Sequence, residues 1–349
     1  CTPPALGDLS ILALGDWGGG SDDEPTTESQ VLTAQGLQRV SGQENLAFAL
    51  LLGDNFYQHG IHEGSTSTSP RFRETFEDVY QKAALSGGWP FYALAGNHDY
   101  GQGLPANVSA QLEYARTSPV WRFPALWYTL SRDFNTTPSA ASAVVGTPPG
   151  RRSLDIIVVD TVILCGYKGI PEALLDRELE FLGHPADPTR PGHLRERLAE
   201  EQWRWLEVEL ARSTADFLWV AGHFPIWSAG SDGSQQCLID RLFPLLERHG
   251  AHYISGHDHN LEHIMQGGVH MTVVGAGKEC CYPPTNAASV PPGAMQFMVA
   301  GPGGSMSQPA MQSPIVGGFA GLQFGAEAAF VTLYASSGAV LYRSPAIPR

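Results

Sequence analysis

Five short apolar runs, each closed by a glycine and a polar residue, set the terms for any fold of this chain. They read LSILALGD (9–16), LAFALLLGD (46–54), PFYALAGNHD (90–99), DFLWVAGH (216–223) and AHYISGH (251–257). Runs this short, rich in Leu, Val, Ile and aromatic residues, are expected to be buried strands. Helical patterns lie between them, at about 26–41, 70–85, 195–214 and 236–250. The stretch LRERLAEEQWRWLEVELARS has its apolar residues near helical spacing and its charges elsewhere. Strands alternating with helices predict an α/β fold with a mainly parallel sheet. Later strands, expected at 154–160, 269–274, 327–335 and 338–344, are less separated by helices and point to a second or a mixed sheet.

Two segments read as loops. Residues 134–152 are small and rich in Pro and Gly, as at a tip between two strands. Residues 283–318 are dense in Pro, Gly, Ser and Met, crossed by one short strand at 296–300. No internal repeat and no linker divides the chain, so one domain over residues 1–349 is expected.

Charge and cysteines narrow the function. The formal net charge is −14, which opposes a nucleic-acid partner or an anionic membrane surface, since both need clustered Lys and Arg. No apolar run reaches the roughly 18 residues of a membrane span. The chain starts at Cys1 rather than Met, which reads as a processed or trimmed start. The five cysteines, Cys1, Cys165, Cys237, Cys280 and Cys281, show no C-x-x-C spacing, so a structural zinc site is not expected. Sequons stand at Asn107 (NVS) and Asn135 (NTT). Together these features point to a secreted or lumenal protein: lysosomal, vacuolar or at the cell surface.

The informative fact is what ends the five runs. In open α/β sheets, ligands bind beyond the carboxyl ends of the strands. Here those ends carry Asp16, Asp54 with Tyr57 close behind, Asn97 with His98, His223, and His257 with His259. Taken singly, each has a bland reading: an Asp after Gly is commonly a cap or turn residue, and a lone His is commonly structural. Five coincidences at five strand ends point to a metal site instead. On extended backbone, residues i and i+2 face the same way, so His257 and His259 can approach one centre together while Asp258 points away. His263 lies past a strand-like step and is peripheral. His59 and His62 read as solvent-exposed loop residues.

The series GDWGG, GDNFY, GNHD, VAGHFPIWS and GHDHN resembles the calcineurin-like metallophosphoesterases and, within them, the small tartrate-resistant type of purple acid phosphatase. Tyr57 is the most specific mark, since most metallophosphoesterases have no tyrosine ligand there. The resemblance extends to NVSAQLEYA, LDIIVVDTVILCG and CLIDRLFPLL. It implies two mixed β-sheets packed as a sandwich flanked by helices, around a βαβαβ core. It also implies a dinuclear centre. Asp16, Tyr57 and His259 would bind Fe(III); Asn97, His223 and His257 would bind a divalent ion, Fe, Zn or Mn; Asp54 would bridge them. His98 would stay outside the ligand set and meet the substrate or its leaving group, with Asn97 also touching substrate. Cys165 and Cys237 would form a disulfide. Cys1, Cys280 and Cys281 stay unassigned; adjacent cysteines bond only with strain, so Cys1 is matched with one of the other two.

The implied activity is acid hydrolysis of phosphate monoesters, on small esters or a phosphoprotein, with inorganic phosphate as product. Carboxylate and phenolate suit a hard trivalent iron, imidazole and amide a borderline divalent ion. A phenolate on Fe(III) gives a visible charge-transfer band. Two metals roughly 3.5–4 Å apart clamp phosphate oxygens and acidify a shared water, so a metal-bound hydroxide can attack phosphorus in acid. The departing alcohol needs a proton, which His98 would supply. The metals also offset the chain's negative field. Two departures stand out. Where the family carries Glu-His after the fourth motif, this chain has SAGSDG, with Asp232 at the histidine position. Residues 166–195 are longer than the family's and read as a surface loop rather than a lid. A phosphodiesterase or nucleotidase on the same site is disfavoured by Tyr57. A non-catalytic anchor or binding module predicts broken ligand motifs, and none is broken here.

Overall fold

The computed structural model describes residues 8–42, 46–62, 64–102, 104, 106–136, 150–166, 179–180, 183–184, 193–299 and 315–349. Its strands form two mixed sheets. In the first, β1 (Leu9–Leu14), β2 (Leu46–Leu52), β3 (Phe91–Leu94) and β4 (Trp121–Arg122) pair in parallel as successive neighbours. The chain then builds the second sheet from β5 (Tyr128–Thr136), β6 (Gly150–Val158), β7 (Phe217–Ala221), β8 (His252–Ser255), β9 (Leu261–Gln266), β10 (Val269–Val274) and β11 (Met295–Met298). Their spatial order is β11-β9-β10-β8-β7-β6-β5, with β6, β7, β8 and β10 parallel. Finally β12 (Gly318–Phe324), β13 (Ala328–Ala335), β14 (Val340–Arg343) and β15 (Ile347–Pro348) return to the first sheet as antiparallel strands, β12 beside β1.

Apolar runs become central strands because both of their faces are covered. Strands β1, β7 and β8 are buried at every position. The sheets meet across a shared core, where Phe324 of β12 lies edge-on to Phe217 and Trp219 of β7, ring centroids 5.3 and 6.2 Å apart. Helices fill the crossovers. Helix α1 (Glu28–Ser41) opens with a capping box, Thr27 taking the Gln30 amide while the Gln30 side chain returns to the Thr27 N–H. A wide-turned stretch, Phe72–Gln81, runs into α2 (Lys82–Gly87). Short helices α3 (Val108–Tyr114) and α4 (Thr161–Cys165) are capped by Asn107 and Asp160. Helix α5 (His193–Arg212) precedes β7, and α6 (Phe243–His249) precedes β8.

Several expectations shift. Residues 134–136 and 150–152 are not loop: they are the paired ends of β5 and β6, with Thr136 opposite Gly150. Alternate burial explains this, since Phe134 and Thr136 turn inward. Residues 137–149 lie outside the described residues. The expected 166–195 loop ends earlier, as α5 starts at His193; within it, 167–178, 181–182 and 185–192 are outside the description. In 283–318, β11 forms at Met295–Met298 and a short turn of helix at Ala287–Ser289, while 300–314 are outside. Cys165 and Cys237 are joined, Cα atoms 5.6 Å apart. Cys280 bonds to its neighbour Cys281, not to Cys1. Cys1 itself is outside the described residues. Among the described residues, no helix is long and apolar enough to cross a membrane.

Candidate metal centre

The carboxyl ends of β1, β2, β3, β7 and β8 converge on one cleft. Backbone bonds lace the strand ends together: Asp16 N–H donates to the Gly53 carbonyl at 3.0 Å, and Gly256 N–H to the His223 carbonyl at 3.0 Å. The residues after the polar ones are anchors. Trp17 and Phe56 are fully buried, edge to face at 6.0 Å, and the Trp17 indole donates to Asn55 Oδ1 at 3.1 Å. Glycines are required where loops touch: a Cβ on Gly96 would run into Asp54 Oδ1, and one on Gly256 into Asp16 Oδ2. Among the described residues, the non-glycines with positive φ are Asp16 (57°), Asp54 (52°), Gln102 (47°) and His257 (71°), and all lie in or beside this cleft. Backbone held in that sparsely populated region clusters at functional sites.

Two groups of donors result. In one, the Tyr57 hydroxyl lies 3.0 Å from Asp16 Oδ1, 3.0 Å from Asp54 Oδ2 and 3.0 Å from His259 Nε2. In the other, Asp54, His223 and His257 offer ligand atoms all within 4.8 Å of one another. There His223 Nε2 is 2.9 Å from Asn97 Oδ1 and 3.4 Å from Asp54 Oδ1. Asp54 thus belongs to both groups. The ring nitrogens are oriented from behind: His223 Nδ1–H donates to the Leu52 carbonyl at 2.8 Å, and His259 Nδ1–H to Glu279 Oε1 at 2.6 Å. Both Nε2 atoms are left facing inward, the arrangement expected of metal-binding histidines.

This donor set fits a cation. Tyr57 has one hydroxyl hydrogen and three acceptors at hydrogen-bond distance, so two of them face its oxygen lone pair to lone pair. His223 Nε2 and Asn97 Oδ1 are likewise two acceptors 2.9 Å apart. Only a positive charge between such atoms, a proton or a metal ion, makes the packing favourable. The titration behaviour reports the same field. Burial would raise the Asp54 carboxyl, but His223, His98 and His257 hold it well below the usual range. Burial would lower His223, yet Asp54 and Asp16 push it up to about 9. Burial, Asp16 and Asp54 hold Tyr57 far above its ordinary value, so a phenolate here requires a strong cation.

The predicted residues are therefore brought together, though not by the local geometry expected. His257 is not on extended backbone, and the two histidines of GHDH face different groups. Asp258 is buried and turned away, accepting from Ser228 Oγ at 2.6 Å. His263 is remote, bonded to Tyr342 and His270. His59 and His62 are exposed. His98 lies on the cleft, its N–H on Asp54 Oδ1 at 2.9 Å and its Nδ1–H on the Gln58 carbonyl at 2.6 Å. Asp232 is on the cleft wall, and burial with Asp258 raises it to about 6.

Other groups have a part that sequence reasoning missed. Asp99 is fully buried beneath the cleft and accepts from Gly96 N–H (2.8 Å), Asn55 N–H (3.1 Å) and Gln111 Nε2 (2.8 Å), tying two strand-end loops together. Lys278, Glu279 and Tyr282 line the cleft, whose volume is about 310 Å³, as do Gln58, Gln102 and Gln235. The signal for Glu279 was present: GAGKE closes the expected strand 269–274, making a sixth strand end with Gly and charge.

Known proteins resemble this chain over most of its length. The model of the calcineurin-like phosphoesterase family matches residues 9–261. Tartrate-resistant acid phosphatase type 5 of Rattus norvegicus is 33% identical over 351 residues, covering 100% of this chain and 93% of that protein. The Homo sapiens protein of the same name is 33% identical over 98% of this chain and 93% of its own length. Purple acid phosphatase 7 of Arabidopsis thaliana is 31% identical over 74% of this chain and 66% of its own length. Among solved structures, the fold is shared with "GAP50 the anchor in the inner membrane complex of Plasmodium", at a TM-score of 0.69 and 21% identity, covering 98% of this chain and 89% of that one. The chain belongs to the calcineurin-like phosphoesterases and, within them, to the tartrate-resistant type of purple acid phosphatase, a family of phosphoester hydrolases.

Proposed function

We propose that this acid phosphatase hydrolyses phosphate monoesters at a dinuclear centre. Asp16, Tyr57 and His259 would hold Fe(III), Asn97, His223 and His257 a divalent Fe, Zn or Mn ion, and Asp54 both. The observation that carries the reading is the Tyr57 hydroxyl, 3.0 Å from each of two carboxylates and an imidazole. Bound there, the ions would supply Lewis acidity that screens phosphate oxygens and acidifies water enough for attack in acid. The chain's own residues do the rest. Asn97 and His98 would orient the ester. With its Nδ1–H committed to Gln58, His98 has Nε2 toward the cleft to carry a proton to the departing alcohol.

The substrate is a small phosphate ester or a phosphoprotein; the net charge of −14 disfavours nucleic acid. The disulfides fit an oxidising, secretory setting, secreted or lumenal, and one domain carries the whole site. Of the two sequons, Asn135 is exposed on β5 and suits glycosylation. Asn107 is half-buried, capping α3 and donating to the Ser65 carbonyl at 2.6 Å, so it is the poorer acceptor.

The test is a visible spectrum with metal analysis on the wild type and Tyr57→Phe. A visible band lost in Tyr57→Phe is the expected result. A colourless protein that holds two divalent ions and still cleaves esters would move it to an ordinary metallophosphoesterase.

A further inference from the structure

Residues 278–282, just after β10, wrap the outer side of the Tyr57–His259 group. Lys278 Nζ sits 4.2 Å from the centroid of the Tyr57 ring and 3.2 Å from Glu279 Oε1. That same Oε1 accepts from His259 Nδ1–H at 2.6 Å. One ion pair therefore touches, from outside, two donors that converge on one point within. Tyr282 stacks on the His259 ring, centroids 4.5 Å apart at 18°, and its N–H donates to the His259 carbonyl at 3.3 Å. The disulfide Cys280–Cys281 stands between the two residues that hold His259 and closes a small ring with their peptide. The segment is pinned at its start, where Lys278 N–H donates to the Asp16 carbonyl at 2.9 Å and the Lys278 carbonyl accepts from Thr27 Oγ1 at 2.9 Å.

We propose that residues 278–282 are a positioning strap that sets the orientation and donor strength of Tyr57 and His259 toward the metal they share. The proposal rests on the Fe(III)–Tyr57 reading above. Lys278 places a positive charge on the ring face, which stabilises a phenolate and lowers the energy of the electron it would lend to iron. Glu279 fixes the His259 tautomer with Nε2 bare and makes that nitrogen a stronger donor. The pair is neutral as a whole, so it tunes the two ligands without adding net charge to an already negative pocket. Its ammonium is buried and already matched, which separates it from a cation held ready for phosphate. Tyr282 and the disulfide keep the strap against the imidazole.

The test compares wild type, Lys278→Met, Glu279→Gln and the double variant Cys280→Ser/Cys281→Ser. Iron and, separately, Zn²⁺ affinity are measured by chelator competition, alongside the visible band. Lys278→Met should move the band to longer wavelength, because the phenolate electron is then less tightly held. Glu279→Gln should weaken metal affinity by about 10–100-fold. The serine pair should weaken it by a smaller factor and leave the band in place. Unchanged affinity in Glu279→Gln together with an unmoved band in Lys278→Met would overturn the strap. So would a raised KM in Lys278→Met with no spectral change, which would make the lysine a substrate contact. If the wild type shows no visible band, the Fe(III)–Tyr57 reading fails instead, and the Zn²⁺ affinity of Glu279→Gln still decides whether the strap positions His259.

Discussion

Two sets of buried histidines occupy the second sheet and its strand ends, and they titrate in opposite directions. At the cleft, burial pulls His223 and His259 down, but carboxylates more than compensate: both are pushed up to about 9, by Asp54 and Asp16 in one case and by Asp16 and Glu279 in the other. On β8, β9 and β10, burial and neighbouring histidines hold His252 down to about 4 and His263 to about 3, and burial lowers His270. That second set is as crowded as the first. His263 Nε2 lies 3.0 Å from His270 Nδ1 with rings stacked, and His252 Nδ1 accepts from His270 N–H at 3.2 Å. Its partners include the Tyr342 hydroxyl, the Trp219 ring and the Pro348 backbone, none of them an anion. Clustering imidazoles does not make a cation site; surrounding them with buried anions does. His257 is the exception in the cleft: burial and His223 hold it well below its ordinary value although Asp54 is beside it, so it stays neutral, which is the state a metal ligand needs.

The largest expected effect comes from removing the anion that both donor groups share. Asp54→Asn keeps the shape and deletes the charge. Lewis acidity is worth several kcal/mol at a transition state, and each 1.36 kcal/mol is tenfold, so kcat/KM should fall at least about 10³-fold. Metal content measured on the same preparation should fall with it. An Asp54→Asn protein that kept its metal and its rate would show that the imidazoles suffice, and the contrast between the two sets would collapse.

The cleft was legible in the sequence because its information is local. Five of the seven candidate ligands, Asp16, Asp54, Asn97, His223 and His257, follow a glycine at the end of an apolar run, and parallel strands bring such ends together. What was not legible depends on distant packing. Strand β12, GFAGLQF, is absent from the expected strands because it follows directly on the Gly- and Pro-rich stretch 283–318, yet it is wholly buried beside β1. Its Gly318 is there because a side chain would meet the Tyr334 carbonyl of β13. Strand β9, LEHIMQ, hides its burial behind Glu262 and His263. Glu262 is tolerated because Ala229 N–H donates to it from another loop at 3.1 Å and the Asn260 amide at 3.4 Å, while Ser228 Oγ, whose hydrogen goes to Asp258, lies 3.0 Å away. Glu279 marks a sixth strand end, but its bond to His259 and the place of Lys278 over the Tyr57 ring are contacts no spacing rule reaches, and the Cys280–Cys281 bond joins two cysteines that the sequence left unassigned.

A smaller effect probes the second set through acid stability. His252 and His263 have folded values below the ordinary 6.5, so the unfolded chain binds protons more readily. Their neutral burial supports the fold fully above about 6.5, and that support is lost as pH falls toward 4 and then 3. At about 1.4 kcal/mol per pKa unit, His252 alone should cost the metal-free fold on the order of 3 kcal/mol as pH falls from about 6.5 to about 4, and His263 adds to that loss. His263→Phe, which keeps a ring between His270 and Tyr342, should flatten the acid limb of a denaturant-melt series. His223 and His259 behave the other way, with raised values whose protonated forms are favoured in the fold, so their contribution fades only as pH rises toward 9. An acid limb identical in wild type and His263→Phe would show that the second set does not govern acid loss.

The smallest effect lies at the cleft wall. Asp232 stands where the family resemblance places a histidine, and partial burial together with the field of Asp258, Asp16 and Asp54 raises its own carboxyl to about 6. An imidazole put there would meet the same anions, and by the rule that separates the two histidine sets it should hold a proton. Asp232→His would exchange an anion for a cation beside the substrate's path. The wall is solvated, so the gain is modest, about 1 kcal/mol for a screened pair at contact distance. KM for a small monoester should therefore fall by about three- to tenfold, with kcat nearly unchanged, because charge at the mouth acts on ground and transition states alike. The gain should shrink as salt is raised. A KM that does not move at low salt would place Asp232 beyond reach of the phosphate, leaving Asn97, His98 and the ligand field to set substrate affinity.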